Sequence, residues 1–444
     1  MGNTNSSCLS FIKKYKRMDD YNDINDTTQV WVELHTKKNI YWLDDKWLVK
    51  IFKYLDQHDR IVVESVCKRW RELSKNQAWE HEKVAVIMKP PSLNMSRIQE
   101  LLYTRNILLR CGPHLKKLSI TSICDSRILK IVNENCLNLD ELSLGLMAYN
   151  ANDCRGVFSN MKKLRVLEIR NLYEIPDNLF EEIQDISETA ATIAFHRGDK
   201  EADITDYNLI INFSSPIFEK FNLLCSLTIE DYIVNLNFMK VISKKHNIKI
   251  LKLINCKFEN RYCIELILQL KNLKYLNLMK VSDVDDDFLK SLSNQCQNLV
   301  SLCFSYCSNI TDQGIVKLSK LNNLYYLDIK MQRGSMLIGD NSIQKFINLK
   351  YLDCSGNCAI TNYSIEKILL NSPDIENLNV SYTSITFELI SSAANLTRKR
   401  LNNIKLYILV SFISQSVEDI LKEPKYKSPF LVVTKLNHNN QINF

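Results

Sequence analysis

The sequence predicts an α/β protein in which a small helical domain precedes a solenoid, a curved parallel sheet with helices on its outer side. Three observations support this prediction. Between residues 43 and 79, apolar residues recur three and four apart, which is typical of packed helices. From about residue 112, a pattern of the form L-x-x-L-x-L returns with a period in the twenties, which indicates a stacked repeat array. The 45% hydrophobic content supplies apolar surface for a large buried core.

The helical segment carries two apolar stripes separated by the polar turn DQHD, residues 56–59. Asp44 is a residue type that favours the N-cap position, so the first helix is predicted to begin directly after it. A segment of about forty residues rarely closes a sufficient core alone. The stripes are therefore interpreted either as a helical cap on the next domain or as a docking face for the helices of another protein.

The register of this segment is carried by Leu43, Trp47, Leu48, Ile51, Phe52, Tyr54, Leu55, Asp59, Val66, Cys67, Trp70, Arg71, Leu73 and Trp79. This order resembles the F-box. The resemblance implies a three-helix fold over residues 41–81 that binds the Skp adaptor of cullin-type (SCF) ubiquitin ligases. Asp44 stands where the family usually carries a Pro that belongs to its adaptor contact. By resemblance, the adaptor-binding residues are Leu43, Trp47, Leu48, Ile51, Phe52, Leu55, Val66, Cys67 and Trp70.

The repeats carry their middle apolar residue at regular positions. After Leu227 these positions are 251, 276, 302, 327, 352, 378 and 404, with spacings of 24 to 26 residues. The last copy is assigned to Leu401, Ile404 and Leu406. The 60 residues between positions 167 and 227 leave room for one weak copy, centred on Ile193, and an insertion. The pattern predicts eleven or twelve repeats over residues 112–406.

This is the leucine-rich repeat pattern, in which each unit gives a short strand and a helical return, and stacked neighbours close the core. Cys256, Cys307 and Asn357 lie three residues past the last apolar strand position, where they are expected to hydrogen-bond turn backbone. The copy NQCQNLVSLCFSYCSNITDQGIVKLS resembles the cysteine-containing leucine-rich repeat found C-terminal to F-boxes. Residues 82–111 are expected to form a linker and N-terminal cap, and residues 407–444 a C-terminal cap and tail.

The first forty residues begin MGNTNSSC, in which Gly2 and Ser6 fit the M-G-x-x-x-[ST] pattern of N-myristoylation. A single myristoyl chain gives only marginal membrane binding, so stable anchoring needs a second signal. Cys8 is a palmitoylation candidate, and the basic cluster at residues 13–17 would attract anionic lipid. Residues 1–40 are interpreted as a flexible segment that carries either a lipid anchor or a chance match to its pattern.

Several classes of function find no support in the sequence. The seven His and fourteen Cys show no CxxC pair and no metal-ligand spacing, so no metal site is expected and the cysteines are interpreted as free thiols. Gly-rich phosphate loops, HExxH and G-x-S-x-G are absent, so neither a catalytic residue nor a cofactor is expected. The net charge of +7 lacks a basic stripe with interleaved aromatic residues, so nucleic acid is not an expected partner. No secretory or membrane-spanning segment is recognised, and a cytoplasmic protein is expected.

In a repeat array, function is expected on the concave face, where outward strand positions line up. Tyr275, Tyr326 and Tyr351 hold equivalent positions, and aromatic side chains favour protein interfaces. They are interpreted either as anchors for a bound protein or as padding of the sheet. The residues expected to bind a protein substrate are Tyr275, Tyr326, Asp328, Tyr351, Asp353 and Asn379.

The resemblance implies a substrate-recognition subunit of an SCF ubiquitin ligase. The F-box would dock on the Skp adaptor and cullin scaffold, and the repeats would hold an unknown protein for ubiquitin transfer by other subunits. The alternative is a membrane-anchored interaction scaffold without a ubiquitin-ligase role, in which the F-box-like segment is only a helical cap. In both hypotheses the chain is non-catalytic, and it is membrane-associated if Gly2 and Cys8 are acylated.

Overall fold

A computed structural model describes residues 43–88, 95–148, 150–170, 177–196, 215–411 and 422–435. The chain divides into two compact units, and each is described by itself. The first comprises Met1–Lys83 and Leu109–His114, and the second Val84–Leu108 and Leu115–Phe444. Gly2, Cys8 and the basic cluster lie outside the described residues, so acylation stays a prediction. None of the described helices is long and apolar enough to cross a membrane.

Between residues 43 and 83, the first unit contains three α-helices followed by a single π-helical turn. The helices are α1 (Asp45–Tyr54), α2 (Gln57–Val63) and α3 (Lys68–Leu73), and the π turn is Ser74–Ala78. The N-cap of α1 is Asp44, as predicted, but its side chain makes no capping hydrogen bond. Its backbone carbonyl instead accepts from the amides of Trp47 and Leu48 at 3.0 and 3.1 Å.

The boundaries of the second apolar stripe differ from the prediction. The segment DQHD is not a turn, because α2 already begins at Gln57: the Asp56 carboxylate accepts from the Asp59 amide at 2.7 Å and caps the helix. The stripe then divides into two helices, since the chain turns over residues 64–67. Cys67 starts α3 by accepting from the Trp70 amide through its sulfur at 3.4 Å. One predicted helix is therefore two short ones.

The second unit is built on one parallel sheet whose fourteen described strands lie in the order β1-β2-β3-β4-β5-β6-β8-β10-β11-β12-β14-β16-β17-β18. Two further pairs, β7 with β9 and β13 with β15, lie beside it. The strands are β1 (Val84–Ile87), β2 (Lys117–Asp125), β3 (Glu141–Ala148), β4 (Val166–Arg170), β5 (Thr192–His196), β6 (Ser226–Glu230), β7 (Ile233–Val234), β8 (Ile250–Ile254), β9 (Lys257–Phe258), β10 (Tyr275–Asn277), β11 (Ser301–Cys303), β12 (Tyr326–Asp328), β13 (Ser335–Gly339), β14 (Tyr351–Asp353), β15 (Asn357–Ala359), β16 (Asn377–Asn379), β17 (Leu406–Val410) and β18 (Leu431–Lys435).

Helices occupy the connections between these strands. Parallel strands require a connection that returns to the same end of the sheet, and a helix is the usual solution. Successive helices pack against one another, as α10, α11 and α12 do. The α-helices are α4 (Arg97–Cys111), α5 (Arg127–Asn135), α6 (Asp177–Glu182), α7 (Ser215–Glu219), α8 (Leu236–Ser243), α9 (Arg261–Glu265), α10 (Asp286–Gln295), α11 (Asp312–Leu318), α12 (Asp340–Ile343), α13 (Asn362–Asn371) and α14 (Phe387–Arg398).

The repeat register agrees with the sequence pattern through the centre of the sheet. Leu276, Leu302 and Leu327 pair across neighbouring strands, and all three side chains are buried. The weak copy is confirmed, because Ile193 lies in β5 and pairs with Leu167 and Leu227. The residues on either side of these apolar positions project to the opposite side of the sheet, which we call the open face. The predicted fold class is confirmed.

The extent of the array was predicted too narrowly at both ends. The sheet begins with β1 and ends with β18, so parts of segments 82–111 and 407–444 belong to it. The last copy was predicted in the wrong register, since Leu378 pairs with Ile408 rather than with residue 404. The physical reason is the longer return: α14 spans twelve residues, and a turn with Asn403 at φ 58° precedes the strand. Leu401 is consequently 97% exposed.

The predicted hydrogen bonds from the turn residues are confirmed. The sulfur of Cys256 lies 3.4 Å from the Ile229 carbonyl, and that of Cys307 lies 3.1 Å from the Leu278 carbonyl. Asn357 donates its amide to the Ile329 carbonyl at 3.1 Å. Each side chain thus reaches the backbone of the preceding repeat, at its strand or directly after it, and links two neighbouring repeats.

Candidate protein-binding surfaces

Most residues predicted to contact an adaptor form the interior of the first unit. Phe52 and Trp70 meet edge-on with ring centroids 5.3 Å apart. This burial explains how so short a segment folds, because each large apolar side chain removed from water stabilises it by about 1.5–3 kcal/mol. The role of these side chains as direct adaptor contacts stays a prediction. The buried residues of the predicted set are Leu43, Trp47, Leu48, Phe52, Leu55 and Trp70.

The remaining predicted residues reach the surface of the unit. Ile51 and Cys67 are partly buried against the core, and Val66 is 36% exposed. Two neighbours that the prediction omitted are more exposed, namely Val62 at 41% and Tyr54 at 51%. Ile51 and Tyr54 lie three residues apart on α1 and share one of its faces, whereas Val62 belongs to α2 and Val66 to the turn that follows it. We call Ile51, Tyr54, Val62 and Val66 the apolar surface of the first unit.

Arg60 connects four parts of the first unit and was not recognised in the sequence. Its side chain is buried and donates to the carbonyls of Phe52 at 3.1 Å and Leu55 at 2.9 Å. It also forms an ion pair with Glu82 at 2.8 Å and lies over the Trp79 ring at 4.5 Å. Nothing in the sequence pattern separates this arginine from the exposed ones, because its partners are mostly backbone carbonyls.

Glu64 is a second buried side chain that links several parts of the same unit. Its carboxylate accepts a two-pronged contact from Arg110, with N–O distances of 2.5 to 2.9 Å. The Trp79 indole donates to it at 3.2 Å and the Ser74 hydroxyl at 3.3 Å. This bidentate geometry is the strong form of a charge-assisted hydrogen bond. It joins the segment Leu109–His114 to the helices of the unit.

On the open face of the sheet, the predicted tyrosines lie in one row but do not all meet. Tyr326 and Tyr351 stack with centroids 4.1 Å apart and planes 7° from parallel, and we call them the tyrosine pair. Ser301 separates them from Tyr275 in the register. The hydroxyl of Tyr275 lies 3.3 Å from that of Tyr325 instead. The three tyrosines thus lie in one row as predicted, but Tyr326 and Tyr351 stack on each other while Tyr275 contacts Tyr325.

Beside the tyrosine pair lie two carboxylates, Asp328 and Asp353, paired in register on neighbouring strands. We call them the carboxylate pair. Asp353 is buried and accepts from the amide and hydroxyl of Ser355 at 2.9 and 2.6 Å and from Asn379 at 2.7 Å. Five of the six predicted substrate-binding residues are thus brought into one cluster, with Ser355 added.

The surroundings of the carboxylate pair disfavour the ionisation of both carboxyl groups at once. Burial, together with the charge of Asp328, raises the pKa of Asp353 to about 6. Burial, followed by the charge of Asp353, raises the pKa of the Tyr351 phenol. The hydroxyl of Ser305 donates to Asp328, and the Lys330 amide donates to the same oxygen at 3.1 Å. The pair is held by polar neighbours but remains a concentration of negative charge.

A second charged cluster on the open face was not predicted. His196 lies between two carboxylates, with Nε2 3.1 Å from Glu168 and Nδ1 2.6 Å from Glu230. The hydrogen bonds to Glu168 and then to Glu230 raise the pKa of His196 to about 9. The hydrogen bond from His196 lowers the pKa of Glu168 to about 2, despite the opposing effect of burial. The repeat register could have predicted this cluster, because Glu168, His196 and Glu230 lie on the neighbouring strands β4, β5 and β6.

This cluster makes stability depend on pH in a defined direction. Since the folded pKa of His196 is raised, its contribution is complete below the unfolded value of about 6.5 and is lost as pH rises through about 9. We expect His196→Gln to lower the free energy of unfolding by about 1–2 kcal/mol at pH 6, after allowance for solvent screening, and to have little effect at pH 10. Denaturant unfolding at both pH values measures this. The exposed His246→Gln is the control, and an equal pH dependence of both variants would contradict the assignment.

Among the described residues, no group of three or more His, Cys, Asp or Glu side chains has an arrangement that could hold a metal ion. The buried thiols lie within the repeat core, where burial raises their pKa values, as it does for Cys256 and Cys307, each to about 12. A thiol with a raised pKa is a poor nucleophile. In the part of the chain that the structure describes, the candidate binding surfaces are the apolar surface of the first unit and the open face of the sheet.

Comparison with known proteins shows which family model and which relatives this chain resembles. Residues 45–81 match the F-box-like family model. F-box/LRR-repeat protein 12 of Homo sapiens is 29% identical over 103 residues, 23% of this chain and 32% of that protein. Caenorhabditis elegans EEED8.10, whose name describes an RNA-binding protein, is 26% identical over 146 residues, 32% of this chain and 20% of that protein. The matched stretches thus span a third or less of these relatives.

The fold itself matches over nearly the whole chain. A chain in the crystal structure of the yeast Rad7 and Elc1 complex aligns with a TM-score of 0.52 at 16% identity, covering 98% of both chains. A helical F-box-like unit followed by a parallel leucine-rich-repeat sheet defines the architecture of F-box/leucine-rich-repeat proteins. The present chain has this arrangement, with an F-box-like match over residues 45–81 and a leucine-rich-repeat sheet after it.

Proposed function

We propose that this chain is a substrate-recognition subunit of an SCF ubiquitin ligase. The observation that carries the proposal is the F-box-like match over residues 45–81, on a chain whose second unit is a leucine-rich-repeat sheet. The human relative is named for the same combination of domains. In this proposal the chain performs no chemistry itself.

The apolar surface of the first unit would dock on the Skp adaptor, which in turn would bind the cullin scaffold. Ile51, Tyr54, Val62 and Val66 offer apolar area on a small unit that is otherwise closed around its core. Exposed apolar patches of this kind mark protein interaction sites. Aromatic side chains such as Tyr54 are enriched among the residues that dominate binding energy.

The open face of the sheet would hold the protein to be ubiquitinated. Its side chains come from many strands, so a partner can be bound over a long row of contacts. Holding two proteins together raises the effective concentration of one near the other, and orientation further favours the transfer step. The contribution of this chain to ubiquitin transfer would therefore be proximity.

Adaptor binding is tested with a surface variant. Leu55 is unsuitable for such a test because it is buried, and a charge there would unfold the unit. We expect Val62→Asp combined with Val66→Asp to reduce recovery of the Skp adaptor about tenfold or more, since two charges would be placed in an apolar interface. Affinity purification of the full chain, with immunoblots for adaptor and cullin, measures the recovery.

The matched control is Leu401→Asp, which changes an exposed leucine of the second unit. This variant is expected to recover the adaptor as the unmodified chain does. Circular dichroism of each variant shows whether the helices are retained. Absence of both adaptor and cullin from the unmodified purification would refute the proposal, whereas full recovery by the double aspartate variant would refute the assignment of the adaptor-binding surface.

A further inference from the structure

Carboxylates on the open face of the sheet fall into two groups. Glu141 pairs with Lys117 at 2.7 Å, and Glu168 and Glu230 both pair with His196. The carboxylate pair, Asp328 and Asp353, differs from these. Within the described residues, no nitrogen of a Lys, Arg or His side chain lies within the 4.0 Å of an ion pair from either of the two. The face thus pairs these other carboxylates directly, whereas Asp328 and Asp353 have no ion-pair partner among the described residues.

The ammonium of Lys330 is close enough for its charge to interact with both carboxylates, but it is directed to another group. Lys330 has its ammonium 5.6 Å from the centre of the Tyr306 ring. Only its backbone amide donates to Asp328, at 3.1 Å. A buried negative charge without an ion-pair partner is unfavourable, because no close attraction offsets the hydration that the charge has lost. A cation supplied by another molecule would offset it.

The oxygens of the pair are not equally engaged. Both oxygens of Asp353 accept short hydrogen bonds, from Ser355 and from Asn379. Asp328 Oδ1 accepts from Ser305 and from the Lys330 amide. Among the described residues, the only hydrogen-bond donor to Asp328 Oδ2 is the Cys303 thiol, at 3.6 Å, and a thiol is a weak donor. Asp328 Oδ2 is therefore the oxygen best able to accept from a ligand.

A second observation comes from the next strand. The Ser381 amide donates to the Asn379 side chain at 3.2 Å. This repeats the contact that the Ser355 amide makes with Asp353 on the preceding strand. The Ser355 hydroxyl binds Asp353, whereas the Ser381 hydroxyl is buried, 1% exposed, and has no hydrogen-bond partner in the described part of the chain. A buried polar group left unpaired costs about 1–3 kcal/mol. The cluster thus ends in a buried hydroxyl whose hydrogen-bonding capacity is unused within the described residues.

The tyrosine pair selects the kind of cation. The rings of Tyr326 and Tyr351 lie flat on each other next to the carboxylates, and both are only half-buried. A guanidinium is planar, stacks on aromatic faces and donates in a fork to carboxylates, while an ammonium is a compact and strongly hydrated point charge. An aromatic face beside a carboxylate is therefore better suited to arginine than to lysine.

We propose that Tyr326, Asp328, Tyr351 and Asp353 form a binding site for an arginine side chain of the protein held on the open face. The inference rests on the proposed function, because it takes the open face as the surface that binds the substrate. It narrows the substrate class to proteins that present an accessible arginine in an extended or loop segment. Asp328 receives the guanidinium, Asp353 adds the second negative charge behind it, and the tyrosine pair stacks against it.

The test uses the full chain and fluorescein-labelled nona-arginine, with nona-lysine and the uncharged nona-citrulline as comparison peptides. Fluorescence anisotropy at physiological salt gives the affinity. We expect Asp328→Asn to weaken nona-arginine binding about tenfold, as loss of a charge-assisted, forked contact does. The control Glu141→Gln removes the same charge from the same face and is expected to change the affinity by less than about twofold. Nona-citrulline is expected not to bind.

A second variant tests the aromatic part of the site without altering its charge. Tyr326→Leu is expected to weaken nona-arginine binding and to leave the weaker nona-lysine binding unchanged. Equal weakening by Asp328→Asn and Glu141→Gln would overturn the proposal in favour of general attraction of cations, and lack of nona-arginine binding by the unmodified chain would overturn it outright. These measurements need no adaptor, so their failure is distinct from failure of the adaptor purification. Melting curves of each variant verify folding.

Discussion

Replacement of Arg60 by alanine is expected to lower the free energy of unfolding of the first unit by about 3–5 kcal/mol, because it breaks a buried ion pair and leaves its partners unsatisfied. The carboxylate of Glu82 would lose its 2.8 Å partner. The carbonyls of Phe52 and Leu55, at the end of α1, would lose their donor as well. The Trp79 ring would lose the guanidinium that lies 4.5 Å from its centre. For a unit this small, such a loss is comparable to its entire stability.

The measurement can be made selective for the first unit. All five tryptophans of the chain lie at or before residue 79, so the intrinsic tryptophan fluorescence reports on that unit. Urea unfolding followed by this signal gives the free energy. The control is Arg71→Ala, an exposed arginine of α3 that donates one hydrogen bond to the Glu64 carbonyl. Its expected cost is below about 1 kcal/mol. If both variants unfold at the same urea concentration, the hub role assigned to Arg60 is wrong.

Replacement of Gly356 by alanine is expected to destabilise the repeat unit by about 2–5 kcal/mol, the sum of left-handed strain and overpacking. Gly356 has φ +84°, a conformation that side chains rarely adopt. A Cβ atom there would clash with the carbonyl oxygen of Met331 in the preceding repeat. Backbone cannot move aside as a flexible side chain can. The amide of Gly356 also donates to Ser381 at 2.9 Å, which fixes its position between two neighbours.

Gly334 provides the matched control for this prediction. It has a similar φ of +92°, but a Cβ atom there would meet nothing within 4 Å. Gly334→Ala is therefore expected to show the backbone strain alone, about 1–2 kcal/mol. The difference between the two variants isolates the cost of the close approach between repeats. Urea unfolding followed by far-ultraviolet circular dichroism measures both, and equal losses would show that the repeats can separate at this point.

The sequence allowed the repeat core to be predicted because its signal is local and periodic. Leu276, Leu302 and Leu327 recur at nearly constant spacing, and stacking leaves no alternative to burying them together. The hydrogen bonds of Cys256 and Asn357 were predictable for the same reason, since they follow from position within the repeat. The prediction failed where the spacing changes, as before Ile408, because a longer helix shifts the following strand.

The candidate sites were less predictable because they depend on contacts distant in the sequence. A helical stripe gives the same pattern whether it faces the unit's own core or a partner. Leu48 and Val66 were therefore assigned together, although the structure buries the first and exposes the second. The partners of Arg60 and Glu64 lie up to 46 residues away, which no local pattern reveals. The row that contains Asp328 and Asp353 was predictable, but their lack of a cation was not.

The pairing of β1 with β2 has a practical consequence for anyone dividing this protein. The repeat motif begins after residue 112, and a fragment starting there would look complete by its sequence. It would nevertheless lose β1, whose residues 84–87 pair with residues 117–120. The amides and carbonyls along one side of β2 would then be unpaired, and a bare strand of this kind is a template for self-association. A soluble fragment of the repeat unit should therefore begin before Val84.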